Sequence, residues 1–132
     1  MAGSLKSYAQ TSVSPGQSRD HIQRLLEAVG AKGFCWTSSV GYPGFEKLEA
    51  GLEWQERPIA FRLEVDFEDE RQHKQKMRAL YWYLKAKVEA IQFGLVDMER
   101  EFLPYLLTQG GKTVYEELGG ANMKLLEAPA QP

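Results

Sequence analysis

The sequence predicts a single α+β domain with elements in the order α-β-β-β-α-α, and three patterns carry that prediction. Residues 59–67 alternate strictly between apolar and polar, residues 68–93 switch to a helical period of about 3.6, and a capped amphipathic segment precedes both. The expected architecture is a three-stranded antiparallel sheet. A long helix and the first helix would cover one face, with short C-terminal helices at one end. At 132 residues, 43% of them hydrophobic, the chain suits one domain and is too apolar for disorder.

Residues 1–12 are small and polar without periodicity and are expected to be flexible, with the domain over 13–118 and a tail over 119–132. Ser14-Pro15-Gly16-Gln17 reads as a helix start: Ser14 caps, Pro15 takes the first position, where its missing N–H costs nothing, and Gln17 closes a capping box. Ile22, Leu25, Leu26 and Val29 form one stripe, and Gly30 ends the helix as a left-handed cap. Residues 34–40 favour a strand, followed by the turn Gly41-Tyr42-Pro43-Gly44. Leu48, Ala50, Leu52 and Trp54 alternate with Lys47, Glu49, Gly51 and Glu53 in a second strand, and Gln55-Glu56-Arg57-Pro58 makes the next turn. Ile59, Phe61, Leu63, Val65 and Phe67 define the third.

From Glu68 to Phe93, Met77, Leu80, Tyr81, Leu84, Val88 and Ile91 make the apolar stripe of a helix about 39 Å long. Gly94 stops it. Asp97 is placed to cap a further helix that Pro104 bends or shortens, and Thr113 with Glu116 offers a second capping box for a last helix ending at Gly119-Gly120.

The formal net charge is −2, so whole-chain electrostatics neither direct the protein to nucleic acid nor forbid it. Charge is nevertheless sorted. Nine acidic residues stand against three basic between Phe45 and Glu70, whereas Arg71 to Val88 holds six basic residues and no acid. On a helix, Arg71, Lys74, Arg78 and Lys85 share an arc of roughly 60° beside the apolar stripe, with Trp82 next to them. Cations that meet phosphates and a ring that stacks on a base are how backbone-tracking nucleic-acid binders work. The alternative is a solvated helix face, or one neutralised by the acidic sheet.

Other chemistry is thinner. Gly111-Lys112-Thr113 has the ending of a phosphate-binding loop, but the pattern's first glycine would fall on Leu106 and Pro104 stands where a strand should be. Cys35 is expected to be a buried strand cysteine, His21 a surface residue, and His73 a solvated one amid Arg71, Lys74 and Lys76. Two histidines and one cysteine do not make a closed zinc site. Glu64, Asp66, Glu68, Asp69 and Glu70 could gather a divalent ion, yet Glu-x-Lys occurs nowhere, and Asp69 more simply favours the positive end of the helix. No catalytic residue, cofactor or metal is expected. One cysteine forms no internal disulfide, no charged-then-apolar leader opens the sequence, and no apolar run reaches membrane-spanning length, so a cytoplasmic setting without membrane contact is expected.

Ser14 through Gly33, Arg78-Ala79-Leu80, Lys85-Ala86-Lys87-Val88-Glu89-Ala90, Gly94 and Glu101-Phe102-Leu103-Pro104 together resemble a group of small proteins from phages, prophages and mobile elements. The resemblance spans most of residues 11–118 and rests on a capped helix ending Gly-Ala and an Arg-Ala-Leu…Lys-Ala-Lys helix. The chain departs at Met77, where that group often has Trp. The resemblance implies a mobile-element context and supplies no catalytic residue.

The functional expectation is therefore a non-enzymatic accessory protein that contacts nucleic acid or a nucleoprotein complex through Arg71, Lys74, Arg78, Lys85 and Trp82. The competing expectation is a protein-binding adaptor or inhibitor of host machinery that works through the acidic sheet region or a sheet edge. Edge pairing would also allow a homodimer.

Overall fold

The structure, a computed structural model, describes residues 8–120 and 124–130. The side chain of Trp54, expected on the apolar face of the second strand, and the remaining residues of the expected terminal segments lie outside the described residues.

Helix α1 spans Pro15–Glu27. Its capping box forms as the sequence implies: Gln17 N–H donates to Ser14 Oγ at 3.2 Å and Ser14 N–H to Gln17 Oε1 at 3.1 Å. The helix ends two residues before Val29, because left-handed Gly30 (φ 95°) turns the chain so that Ala31 N–H reaches back to the Leu26 carbonyl. Before it, residues 8–10 make one turn, and Gln75 Nε2 donates to the Ala9 carbonyl at 2.6 Å.

Strands β1 (Lys32–Ser38), β2 (Gly44–Trp54) and β3 (Arg57–Phe67) form an antiparallel sheet in sequence order. β1 stops at Ser38 rather than residue 40, since Ser39 pairs with Phe45 through both backbone and hydroxyl and opens the turn there. β2 therefore begins at Gly44, earlier than its first apolar alternation. A Cβ on Gly44 would collide with Ser39 Oγ and the Gly41 carbonyl, so this corner requires glycine. The β2–β3 turn has only two central residues, Gln55 (φ 49°) and Glu56 (φ 62°), both left-handed as a twist-matched hairpin demands, and Arg57 and Pro58 already belong to β3.

Helix α2 covers Glu70–Gln92, capped by Asp69 Oδ1 on Gln72 N–H at 2.8 Å and ended by left-handed Gly94. α1 and α2 pack against each other and on one sheet face. Ile22 and Leu26 of α1, Met77, Leu84 and Val88 of α2, and Leu48, Ala50, Leu52, Phe61, Leu63 and Phe67 of the sheet are all buried there. Burial contributes about 1.5–3 kcal/mol for each large apolar side chain. Helix α3 (Met98–Phe102) is short, and Asp97 does not cap it through its side chain. Pro104 converts the chain to a 3-10 turn over Leu103–Tyr105, while Phe102 packs on Phe61 with centroids 5.4 Å apart. Helix α4 (Val114–Gly120) starts with the expected Thr113–Glu116 capping box.

The two sheet edges differ. At β3 the C-terminal segment supplies cover: Leu107 N–H donates to the Ala60 carbonyl at 2.8 Å and Phe61 bridges to Leu106. β1 has no strand beyond it among the described residues, and its register breaks between Lys32 and Cys35 at left-handed Gly33.

Candidate functional site

The five residues expected to meet nucleic acid do not form one open stripe. Arg78 is turned inward, only 7% exposed. Its guanidinium donates to His21 Nδ1 at 3.0 and 3.3 Å and lies 4.0 Å from the Tyr81 ring centroid, while its Nε has no hydrogen-bond partner. Burial pulls its pKa below the usual guanidinium value, partly opposed by the Tyr81 phenol. α1 packs against this flank of α2, and that contact removes Arg78 from any phosphate. It also draws His21, expected at the surface, into the α1–α2 seam. Lys74 stands 4.0 Å from Glu70 one turn away. Lys85 lines the cleft between α1 and α2, with its ammonium 5.1 Å from the Trp82 ring centroid. Arg71 is exposed and makes no ion pair among the described residues.

Trp82, 42% exposed, belongs to a different feature. At about 100° per residue, Ala79, Trp82, Tyr83, Ala86, Ala90 and the cap residue Phe93 occupy an arc of about 100° opposite Met77 and Leu84, and only two glutamines share it. This outward strip carries no charge. Tyr83 and Phe93 are exposed within it, and Leu95, just past the helix end, is exposed as well. Arg71 and Lys85 lie along one margin, which also carries the exposed Glu89, and Lys76 and Lys87 lie along the other. A groove of about 330 Å³ between α2 and β3, lined by Val65, Leu80, Ala79 and Tyr83, opens beside it. Lys87 is held to Glu101 at 2.8 Å; burial alone would lower its pKa, but its bonds to Glu101 and Tyr83 prevail and raise it. Burial, together with the hydrogen bond to Tyr83 at 2.7 Å, pushes Tyr105 up to about 12.

A second constellation, absent from the sequence reading, surrounds Glu46. This carboxylate points into the core side of the sheet at 1% exposure, where Arg19 Nη1 donates to both its oxygens at 2.8 Å. His73 Nε2 also contacts it. On the other side of the ring, His73 Nδ1 lies 2.8 Å from Tyr42 Oη, and the ring stacks on Phe67 with centroids 3.9 Å apart. His73 is thus not solvated. Strand parity is the signal that finds Glu46, since it lies two and four residues before Leu48 and Ala50 on the same face. Parity also corrects Cys35: between the inward Phe34 and Trp36 it must point outward, and it is exposed.

On the outer sheet face Arg62 binds Glu49 at 2.9 Å and the Gly111 carbonyl at 3.0 Å, and Glu116 approaches to 3.8 Å. The nearby cleft of about 610 Å³ therefore offers no uncommitted guanidinium for an anion. Among the described residues no cluster of three His, Cys, Asp or Glu side chains is arranged to hold a metal ion, and no helix is long and apolar enough to cross a membrane. Compared with protein families, curated proteins and solved structures, the chain matches none.

Proposed function

We propose that this protein is a non-enzymatic accessory protein, of the phage or mobile-element kind its sequence resembles, that docks a partner protein on the outward strip of α2. The observation that carries the reading is the uncharged arc of Ala79, Trp82, Tyr83, Ala86, Ala90 and Phe93, with Arg71, Lys85 and Lys76 along its margins outnumbering the exposed Glu89 and with Lys87 paired to Glu101. Aromatic residues are enriched at the centres of protein interfaces, and cations at the rim select a partner of opposite sign. The occupant that fits is an amphipathic helix whose apolar stripe is flanked by carboxylates. The test is capture from nuclease-treated host extract, comparing the natural protein with a W82A/F93A variant. A partner kept by the first and lost by the second, and carrying such an acidic amphipathic helix, supports the proposal. Equal retention by both overturns it.

Nucleic acid is the second reading, favoured by the Lys85 ammonium over the Trp82 ring with Arg71 and Lys74 on the same side. It rests now on three cations. Removing Arg71, Lys74 and Lys85 should flatten the logarithmic salt slope on duplex DNA by about 2.7 units, and absence of binding at low salt ends this reading.

A further inference from the structure

We infer that Tyr42 is an activated oxygen nucleophile, with His73 as its base and Glu46 positioning that base, and that it accepts an acyl group from an activated ester. The inference does not depend on the α2 strip. A carboxylate in contact with an imidazole accepts its N–H, so Glu46 holds the Nε2–H tautomer of His73 and leaves the Nδ1 lone pair to receive the Tyr42 hydroxyl hydrogen. Nucleophile, base and orienter in hydrogen-bonded series is the arrangement that activates hydroxyls in acyl transfer. Each member is fixed by a different element. Glu46 is locked on β2 by the two-oxygen contact from Arg19 of α1, and His73 is clamped on the first turns of α2 against Phe67 of β3. Tyr42 sits on the turn between β1 and β2 and is 46% exposed, so an ester can approach its hydroxyl from solvent.

In the step itself, Tyr42 Oη attacks the ester carbonyl carbon while its proton passes to His73 Nδ1. The bond from that carbon to the leaving oxygen then breaks, and the leaving group departs with the electron pair and takes the proton from Nδ1. The products are a tyrosyl ester at Tyr42 and an alcohol or phenol, and Glu46 stabilises the imidazolium between the two proton transfers.

The full chain incubated with p-nitrophenyl acetate tests this, with acetyl sites located by peptide mass spectrometry over time. Tyr115 is an internal reference: it is more exposed, at 73%, and no imidazole borders it among the described residues. Tyr42 should acetylate on the order of a hundredfold faster than Tyr115. H73Q should bring Tyr42 down to the Tyr115 rate, and Y42F should remove the fast phase while Tyr115 reacts as before. Equal rates at Tyr42 and Tyr115 in the natural protein, a comparison that needs no variant to fold, overturn the inference. So does an H73Q protein that keeps the fast site.

Discussion

Arg78 is a buried cation facing an imidazole and a phenol rather than a carboxylate, and its Nε has no partner. Desolvating such a group costs free energy that its contacts only partly return. R78M should therefore leave stability unchanged or raise it by about 1–2 kcal/mol in urea unfolding, and a loss of that size would show that the His21 and Tyr81 contacts outweigh desolvation. Tyr105 gives a complementary test at high pH. Its folded value of about 12 lies above the ordinary 10, so the stability it contributes is complete below about pH 10 and is lost as pH rises towards 12. Y105F should remove that part of the high-pH decline, and absorbance titration of the natural protein should show one of its six tyrosines ionising last. Residue type alone misplaced Arg78, Cys35 and His73. A cation looks solvent-bound and a cysteine buried until the neighbouring element and the strand parity are known.

Elements were far more legible than side chains. β3 and the later part of β2 show their alternation because one sheet face is wet, and both capping boxes appear as written because each is settled within four residues. What the chain could not announce is which flank of α2 would receive α1, a long-range choice that decided the fate of the basic arc. The α4 cap makes a pH-dependent contribution. The Thr113 backbone N–H bonded to Glu116, first, and the Thr113 hydroxyl with the charges of Arg62 and Lys112 hold that carboxyl below its usual value. Its contribution is thus present above pH 4.5 and disappears as pH falls through the lowered folded value, and E116Q should flatten stability over that acid range. At the β1–β2 corner, G44A should cost about 1–3 kcal/mol by denaturant unfolding, because the new methyl meets backbone at Gly41 as well as a movable hydroxyl.

For the molecule as a whole, one helical layer lies on one sheet face and leaves two kinds of surface open, the outer face with its paired Arg62 and Glu49 and the uncharged strip of α2. W82A/F93A should change stability little, since neither ring is buried, so that lost binding in that variant reports contact rather than unfolding; a fall of several degrees in melting temperature would count against this reading. The unequal sheet margins carry a consequence of their own. Leu106 and Leu107 cover β3 at Ala60 and Phe61, whereas β1 has no strand beyond it among the described residues, and there the kink at Gly33 shortens the stretch open to pairing. Two molecules joined edge to edge through β1 would be related by a single dyad and would bury that edge within the pair, leaving it no place for a third molecule.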